Sequence, residues 1–478
     1  MTLLEGLEVT VISLLKLRNE NWTFRIDSEF LKKEYLKNID KIKNLKPGYL
    51  KLNEAIIHMT GGATPLGAEY SESGIPFLRV QNIMQNYFSL NDVVYISEKQ
   101  STEIKRSVLK FKDVLLTITG VSYGKSATVT KKIEGSNINQ HSVKITLNNS
   151  INPYFLSTFL NCSFGKLQSD KNIVGVTRPA LDYEVIKNFN IPIVSENFQN
   201  QIESIILNSD LVNQHAETKY SQAETLLLET LGLNNFEPTS EAVNVKSFKE
   251  SFFISGRLDA EYYQPKYEEI INAIKLNNEG YDKLETFIEN YSTGFPYKSE
   301  SYSDNGIPLI RINNIQNGEL DLSNAANVPF EDVSLSPKDI ANENDILISM
   351  SGTIGNSCKI PKGVKALVNQ RIMRITPINY NVEILPLVIN SIIGKMQLER
   401  IGTGGVQTNI SATDIKEILL PAFDKQTQEK IASLVSESFT LKKQSEQLLE
   451  TAKRAVEIAI EEAEEVAMRY IDDTIKSN

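Results

Sequence analysis

Cysteine is almost missing from this sequence. Cys162 and Cys358 are the two in 478 residues, too far apart and too few for a disulfide scaffold or a cysteine-based zinc site. A reducing compartment is implied, and the cytoplasm is the expected location. Histidine is nearly as scarce. His58, His141 and His215 show no H-x-x-x-H or H-x-x-E spacing, so no metal site is expected. No apolar run approaches the ~18 residues of a membrane span. The opening "MTLLEGLEVTVISLLKLRNE" carries Glu5 and Glu8 where a signal peptide is positive, and no small-residue cleavage site follows. Neither a membrane partner nor secretion is expected. Around Ser351, "SMSGTIG" lacks the G-x-S-x-G elbow of a serine nucleophile. No cofactor is expected either.

An excess of positive charge is also missing. The net charge is −10, which argues against a simple nucleic-acid binder, yet it is unevenly spread. Residues 25–195 hold 22 basic and 15 acidic groups, a net of +7; residues 251–424 hold 15 and 22, a net of −7. The first of these segments suits a polyanion. Hydrophobic residues at 41% and charged residues at 23% are ordinary for a globular chain, and this length predicts two to four domains.

One stretch imitates a nucleotide site. "GVSYGKS" at 120–126 is one residue short of the P-loop G-x-x-x-x-G-K-S/T. The following "ATVTKK" is β-branched and reads as a strand, where a P-loop must open a helix. "INPYF" at 151–155 resembles the base-holding motif of amino-methyltransferases, but it has one proline and no glycine-rich partner. It reads better as a helix start, with Asn152 as N-cap and Pro153 in the first turn.

What the chain does have is itself, twice. "RIDSEF" from Arg25 returns as "RLDAEY" from Arg257, and "GIPFLRVQNI" from Gly74 as "GIPLIRINNI" from Gly306, both at an offset of 232. "DVLLTITG" from Asp113 returns as "DILISMSG" from Asp345 at 232, and "NQHSVKIT" from Asn139 as "NQRIMRIT" from Asn369 at 230. The "IP" ending at Pro192 answers the "LP" ending at Pro421 at 229. Such an ordered set marks an internal repeat, and it changes the reading of every motif. "GVSYGKS" matches "GTIGNS" from Gly352, shorter and without lysine, so a glycine-assisted hairpin turn explains both.

Each copy reads as a mixed α/β unit. A polar helix comes first, then a short amphipathic helix ("LNEAIIHMT", "LETFIENYS"), then short strands rich in Val, Ile, Leu and Thr, separated by Gly, Asn and Asp turns. A long helix closes each copy. From Ile431, alternating steps of three and four meet Leu434, Ser438, Leu441, Ser445, Leu448, Ala452, Ala455 and Ala459, a seam of small and apolar residues. Subtracting 229 gives Ile202, Ile205, Ser209, Val212, Ala216, Lys219, Ala223, Leu226 and Thr230 in the same register. Two unrelated surface helices are the alternative, but shared register favours an antiparallel pair, ~50 Å long at 1.5 Å per residue. The expected fold class is therefore mixed α/β, with two tandem globular heads joined by two long antiparallel coiled-coil helices in a pseudo-two-fold repeat. The boundaries read as an N-terminal segment 1–24, head one 25–197, central helix and linker 198–250, head two 251–424 and distal helix 425–478. Two heads at a fixed separation suit duplex DNA, which has matching pseudo-two-fold symmetry and a fixed rise.

These repeated motifs, GIP-x-x-R-x-x-N-I at Gly74–Ile83 and Gly306–Ile315 above all, resemble the specificity subunit of type I restriction–modification enzymes over nearly the whole chain from about Arg25. The resemblance implies two target-recognition domains, each reading one half of a bipartite asymmetric site in double-stranded DNA, with the helices setting the gap. It implies no catalysis by the chain itself. The partners it implies are two DNA adenine methyltransferase subunits and, through them, restriction–translocase subunits. The acidic second head departs from this picture, because phosphate contacts normally dominate affinity. The methyltransferase subunits are then expected to supply the missing positive charge. A duplicated scaffold whose heads bind proteins is the alternative that the acidic head supports. A nucleotide-dependent enzyme is the third reading.

An asymmetric site demands that the heads read different bases. Residues shared by both copies, Arg79/Arg311 and Asn82/Asn314 among them, therefore read as scaffold or DNA-backbone contacts. An ion pair with Asp113/Asp345 is the alternative for the arginines. Base readers belong in matched loops that differ. These are Ser122, Tyr123 and Lys125 against Thr353 and Asn356; Thr177 and Arg178 against Gln407, Thr408 and Asn409; and Thr60 and Thr64 against Thr293, Tyr297 and Lys298. Arg and Lys suit guanine, and Asn and Gln suit adenine.

Overall fold

The computed structural model describes residues 9–20, 23, 25–67, 69–175, 179–241, 243–402 and 409–477. They form two compact units, Met1–Gln214 with Leu441–Asn478, and His215–Thr440. Each long helix thus contributes one part to each unit.

In the first unit the described strands are β1 (Tyr49–Lys51), β2 (Ile56–Gly61), β3 (Ile75–Leu78), β4 (Val94–Ile96), β5 (Val114–Thr117), β6 (Ser126–Thr128), β7 (Asn137–Ile138), β8 (Ser142–Leu147) and β9 (Asn190–Pro192). They build an antiparallel sheet in the order β2-β8-β5-β6, a second sheet β4-β3-β7, and the pair β1-β9. Side chains alternate along β5. Val114 and Leu116 join a core with Tyr154, Phe155 and Phe159 of the helix Pro153–Asn161. Leu115 enters a separate core with Leu78, Ile83 and Ile138. A strand covered on both faces must be apolar at every position, which is why "VLL" shows no alternation. Each such fully buried side chain is worth about 1.5–3 kcal/mol.

The second unit repeats this plan. Its described strands are β10 (Tyr281–Lys283), β11 (Ile288–Ser292), β12 (Ile307–Ile310), β13 (Ala326–Val328), β14 (Ile340–Ala341), β15 (Ile346–Ser349), β16 (Ser357–Lys359), β17 (Ala366–Val368), β18 (Ile372–Pro377) and β19 (Leu419–Pro421). The sheets run β11-β18-β15-β16, β13-β12-β17-β14 and β10-β19. Strands β1 to β5 restart at the 232 offset as β10 to β13 and β15, β8 at 230 as β18, and β9 at 229 as β19. Here Ile346 and Ile348 face the helices while Leu347 faces the other core.

Side-chain amides hold the same places in both units. Asn161 donates to the carbonyl of Ser126 (2.7 Å) and accepts from its N–H (3.0 Å), closing the edge strand β6. Asn390 does the same to Ser357 of β16, at 2.8 and 2.9 Å. Gln168 grips the backbone of Asn190, and Gln397 that of Leu419. Each amide mimics a neighbouring strand and satisfies backbone groups that an edge leaves open.

The helices Glu196–Thr230 and Lys425–Glu461 meet inside each unit. Within the first unit, Ser209 and Ser445 face one another, with Oγ atoms 2.8 Å apart and each hydroxyl donating to the other's carbonyl. Within the second, Ser438 donates to the carbonyl of Ala216 at 2.7 Å. At the 229 offset, Ser209 corresponds to Ser438 and Ala216 to Ser445. The same pair of repeat positions thus makes the helix contact inside each unit. Small residues let the backbones approach closely enough for these bonds.

One expectation changes, in both copies. The short amphipathic helix is a single turn at Leu52–Ala55, or a 3-10 turn at Leu284–Phe287; the rest is strand. β2 and β11 pair with β8 and β18, and the β-branched or aromatic Ile56, Ile57, Ile288 and Tyr291 favour the extended form once a ladder partner is present. In contrast, Asn152 does cap its helix, accepting from the N–H of Tyr154 at 2.9 Å.

Candidate nucleic-acid interface

The turn at the end of β5 gathers three other segments in the first unit. Ile118 N–H donates to the carbonyl of His141 (2.9 Å), Gly120 N–H to Pro179 (3.0 Å) and Leu181 N–H to Ile118 (2.9 Å). Thr119 Oγ1 lies 2.8 Å from His141 Nδ1. Gly62 N–H donates to Ser142 and Ala63 N–H to Ile138, both at 3.0 Å. A Cβ on Gly62 would meet the carbonyl oxygen of Asn139 at 2.1 Å, so only glycine lets this segment press on the "NQ" turn.

Matching segments converge in the second unit. Met350 N–H donates to the carbonyl of Arg371 (2.9 Å), Ile410 N–H to Met350 (3.0 Å) and Gln370 N–H to Phe295 (3.1 Å). A Cβ on Gly294 would come within 1.9 Å of the Asn369 carbonyl oxygen, and its φ of +75° also favours glycine. These loops line an open, shallow pocket of about 550 Å³ whose lining includes Thr293, Met350, Gln370, Arg371 and Asn409.

The hairpin reading of "GVSYGKS" holds. β5 and β6 pair antiparallel across it, β15 and β16 across "GTIGNS", and no helix follows either turn. Gly120, Gly124, Gly352 and Gly355 all have φ between +69° and +83°. Ser122 is half-buried, and its carbonyl accepts from Thr117 Oγ1 at 2.6 Å. The Tyr123 hydroxyl donates to Asp170 at 2.8 Å, and the Lys166 ammonium sits 3.8 Å from the centre of its ring. Burial and the Asp170 carboxylate push the phenol's pKa upward. The Lys125 ammonium approaches Met84 Sδ at 3.7 Å.

Of the remaining loop residues, Thr293, Lys298, Thr353 and Asn409 are exposed, and Thr60 and Asn356 are half-buried. Thr64 hydrogen-bonds Gln140. Thr177, Arg178, Gln407 and Thr408 lie outside the described residues. Tyr297 is a correction. It is 6% exposed, packs with Ile307, Leu309 and Leu367, and donates its hydroxyl to the carbonyl of Asp332. An aromatic ring flanked by Phe295 gains more from this core than from solvent. In this structure Tyr297 is a core residue and presents no edge to a base.

The shared polar residues are scaffold in their hydrogen bonding. Asn82 accepts from Arg79 N–H (2.9 Å) and donates to the carbonyl of Ser89 (3.0 Å); Asn314 does the same with Arg311 and Asp321, both at 2.9 Å. Arg79 Nη2 donates to the carbonyl of Asp92 and Arg311 Nη2 to that of Asn324. The ion pair with Asp113 or Asp345 does not form. Those aspartates face Lys144 at 3.8 Å and Arg374 at 3.1 Å, on the adjacent strands β8 and β18. Each arginine gives one Nη2 donor to a backbone carbonyl, while its buried Nε has no hydrogen-bond partner among the described residues.

Sequence reasoning passed over several residues of these faces. Val121 is 96% exposed at the tip of its turn. Gln140, Gln370 and Arg371 line the convergent loops. The "NQH"/"NQR" difference was the available signal for the last of them. The faces offer amide, hydroxyl and guanidinium groups with glycine-rich backbone, a chemistry of hydrogen-bond readout. Among the described residues no group of three or more His, Cys, Asp or Glu could hold a metal ion.

The profile of the type I restriction modification DNA specificity domain matches residues 51–225 and 282–451. The chain belongs to this family. It is a DNA-recognition subunit of a type I restriction–modification system, and its two matched segments coincide with the two repeats of the specificity-domain fold. Among solved structures, it is similar to the type I restriction–modification S subunit from M. genitalium, at 13% identity over 90% of this chain and 98% of that one, with a TM-score of 0.35. It is also similar to the HsdS subunit from Thermoanaerobacter tengcongensis, at 14% identity over 89% and 95%, with a TM-score of 0.26. Among curated proteins, none matches the chain. No helix among the described residues is long and apolar enough to cross a membrane.

Proposed function

We propose that each unit of this specificity subunit reads one half of a bipartite, asymmetric site in double-stranded DNA. Reading falls to the divergent loops: Ser122, Lys125, Thr177 and Arg178 in one unit, and Lys298, Thr353, Asn356, Gln407 and Thr408 in the other, with Asn409 beside them. The long helices set the gap and dock two DNA adenine methyltransferase subunits, through which restriction–translocase subunits join. The chain itself is non-catalytic and works in the cytoplasm.

One observation carries this reading. Equivalent loops converge at the end of equivalent strands in both units, with matching glycines and differing polar residues. Shared scaffold with unshared donors is what two different half-sites require. The net of −7 over residues 251–424 fits a subunit that gains phosphate contacts from its partners. Selection of a randomised duplex pool by the chain, with and without its methyltransferase subunits at fixed salt, tests the proposal. A bipartite motif that needs those subunits supports it. Sequence-independent binding under both conditions would overturn it.

A further inference from the structure

We infer that Arg371 determines specificity in the second unit's half-site by reading a guanine, and that Asn409 positions it. The inference rests on the proposed function and deepens it.

Four observations meet at this residue. Arg371 is exposed on the pocket of about 550 Å³ made by the convergent loops. Its φ is +67°, in the left-handed region that favours glycine. The turn is fixed by Asn369 N–H to the Ile310 carbonyl (2.9 Å), Gln370 N–H to Phe295 (3.1 Å) and Met350 N–H to the Arg371 carbonyl (2.9 Å). A bulky side chain held in such a conformation by its surroundings is a pointer to function.

The guanidinium is held as well. Arg371 Nη1 donates to Asn409 Oδ1, and among the described residues no carboxylate pairs with it. With Nη1 tethered, the Nε and Nη2 edge offers two parallel donors, the fork that matches guanine O6 and N7. Asn409 therefore orients the reader, where its side-chain type alone suggests an adenine contact.

The first unit lacks this device. His141 occupies the aligned position, with Nδ1 2.8 Å from Thr119 Oγ1, and its φ is not in the left-handed region. Asn409 bridges Ser351 as Ala180 bridges Thr119, and alanine cannot orient a guanidinium. A matched position with unmatched chemistry is what discriminates two half-sites.

The test uses the full chain assembled with its methyltransferase subunits and a randomised duplex pool. R371G should lose about ten- to hundred-fold of the preference for guanine at one position of one half-site. The other half-site should stay unchanged. R371K should lose part of the same preference, because an ammonium lacks the fork, and N409A should weaken it at the same position. The melting temperature of R371G should not fall, since glycine relaxes the backbone. An unchanged motif in R371G, a change at a base other than guanine, or an equal loss for every sequence would each refute the assignment. A wild-type complex that selects no bipartite motif would sink the proposed function and this inference with it.

Discussion

Arg374 and Asp345 form a buried ion pair at 3.1 Å between neighbouring strands of the second unit. Thr376 Oγ1 and the Asn342 N–H also bond the carboxylate. In the first unit, Lys144 stands 3.8 Å from Asp113, beside the equivalent Thr146. One unit thus has a forked cation where the other has a point charge. R374M should destabilise the second unit by about 3 kcal/mol or more, because it strands a buried carboxylate. Adding D345N should recover part of that loss. K144M should cost less, since burial already pushes the pKa of this lysine down and disfavours its charge. Urea denaturation of the three variants checks the order.

The Ser209–Ser445 contact predicts how the helices respond to bulk. S445A should cost about 1 kcal/mol for the lost hydrogen bonds. S209L should cost about 1–3 kcal/mol, since a larger side chain forces the helices apart. Equal melting temperatures for S209L and S209A would show that close approach is not needed.

Lengthening the helix Glu196–Thr230 tests its role as a spacer. Four inserted residues add roughly 6 Å, about one turn. The preferred gap between half-sites should lengthen while the bases read in each half stay the same. Selection from pools of variable spacing measures this, and an unaltered gap would end the ruler idea.

Arg178→Ala should relax recognition in one half-site, the one read by the first unit. The expected cost is about 1–3 kcal/mol per lost base contact. Binding to the matched duplex and to single-base variants separates that outcome from a uniform loss, which would mark a phosphate contact.

The two thiols should report unfolding unit by unit. Cys162 lies in the first unit and Cys358 in the second, and both are buried. Burial pushes the Cys162 pKa up to about 12 and raises that of Cys358 as well. In the native protein at pH 8 both should resist alkylation and react on unfolding. The sign for stability follows: a thiol protonated in the folded state contributes fully below its unfolded pKa, near 8.5. That contribution is lost as pH rises toward the folded value. Rapid labelling of either cysteine in native buffer would contradict this burial.

Much of the architecture could be read from residue order. The duplication rests on ordered motifs at nearly constant offset, and the strands restart at those offsets. Two copies of one turn replaced a damaged nucleotide site with a hairpin, because the second copy keeps the glycines and drops the lysine. The helical seam announced its small residues, since a period near 3.5 survives in a linear reading. Asn152 as a cap was equally local.

Other features needed the chain to fold back on itself. "AIIHMT" became a strand because β8, some 85 residues later, supplies its ladder, and β-propensity depends on such partners. Tyr297 went into the core, although its polar neighbours suggested a surface loop. Asn161 and Gln168, with Asn390 and Gln397, clamp distant backbones, a pairing without local signature. Arg371 meets Asn409 across 38 positions. Sequence spacing carries periodicity and duplication, which are local or repeated. The meeting of loops depends on long-range hydrogen bonds and burial, whose partners are set only when the sheets assemble.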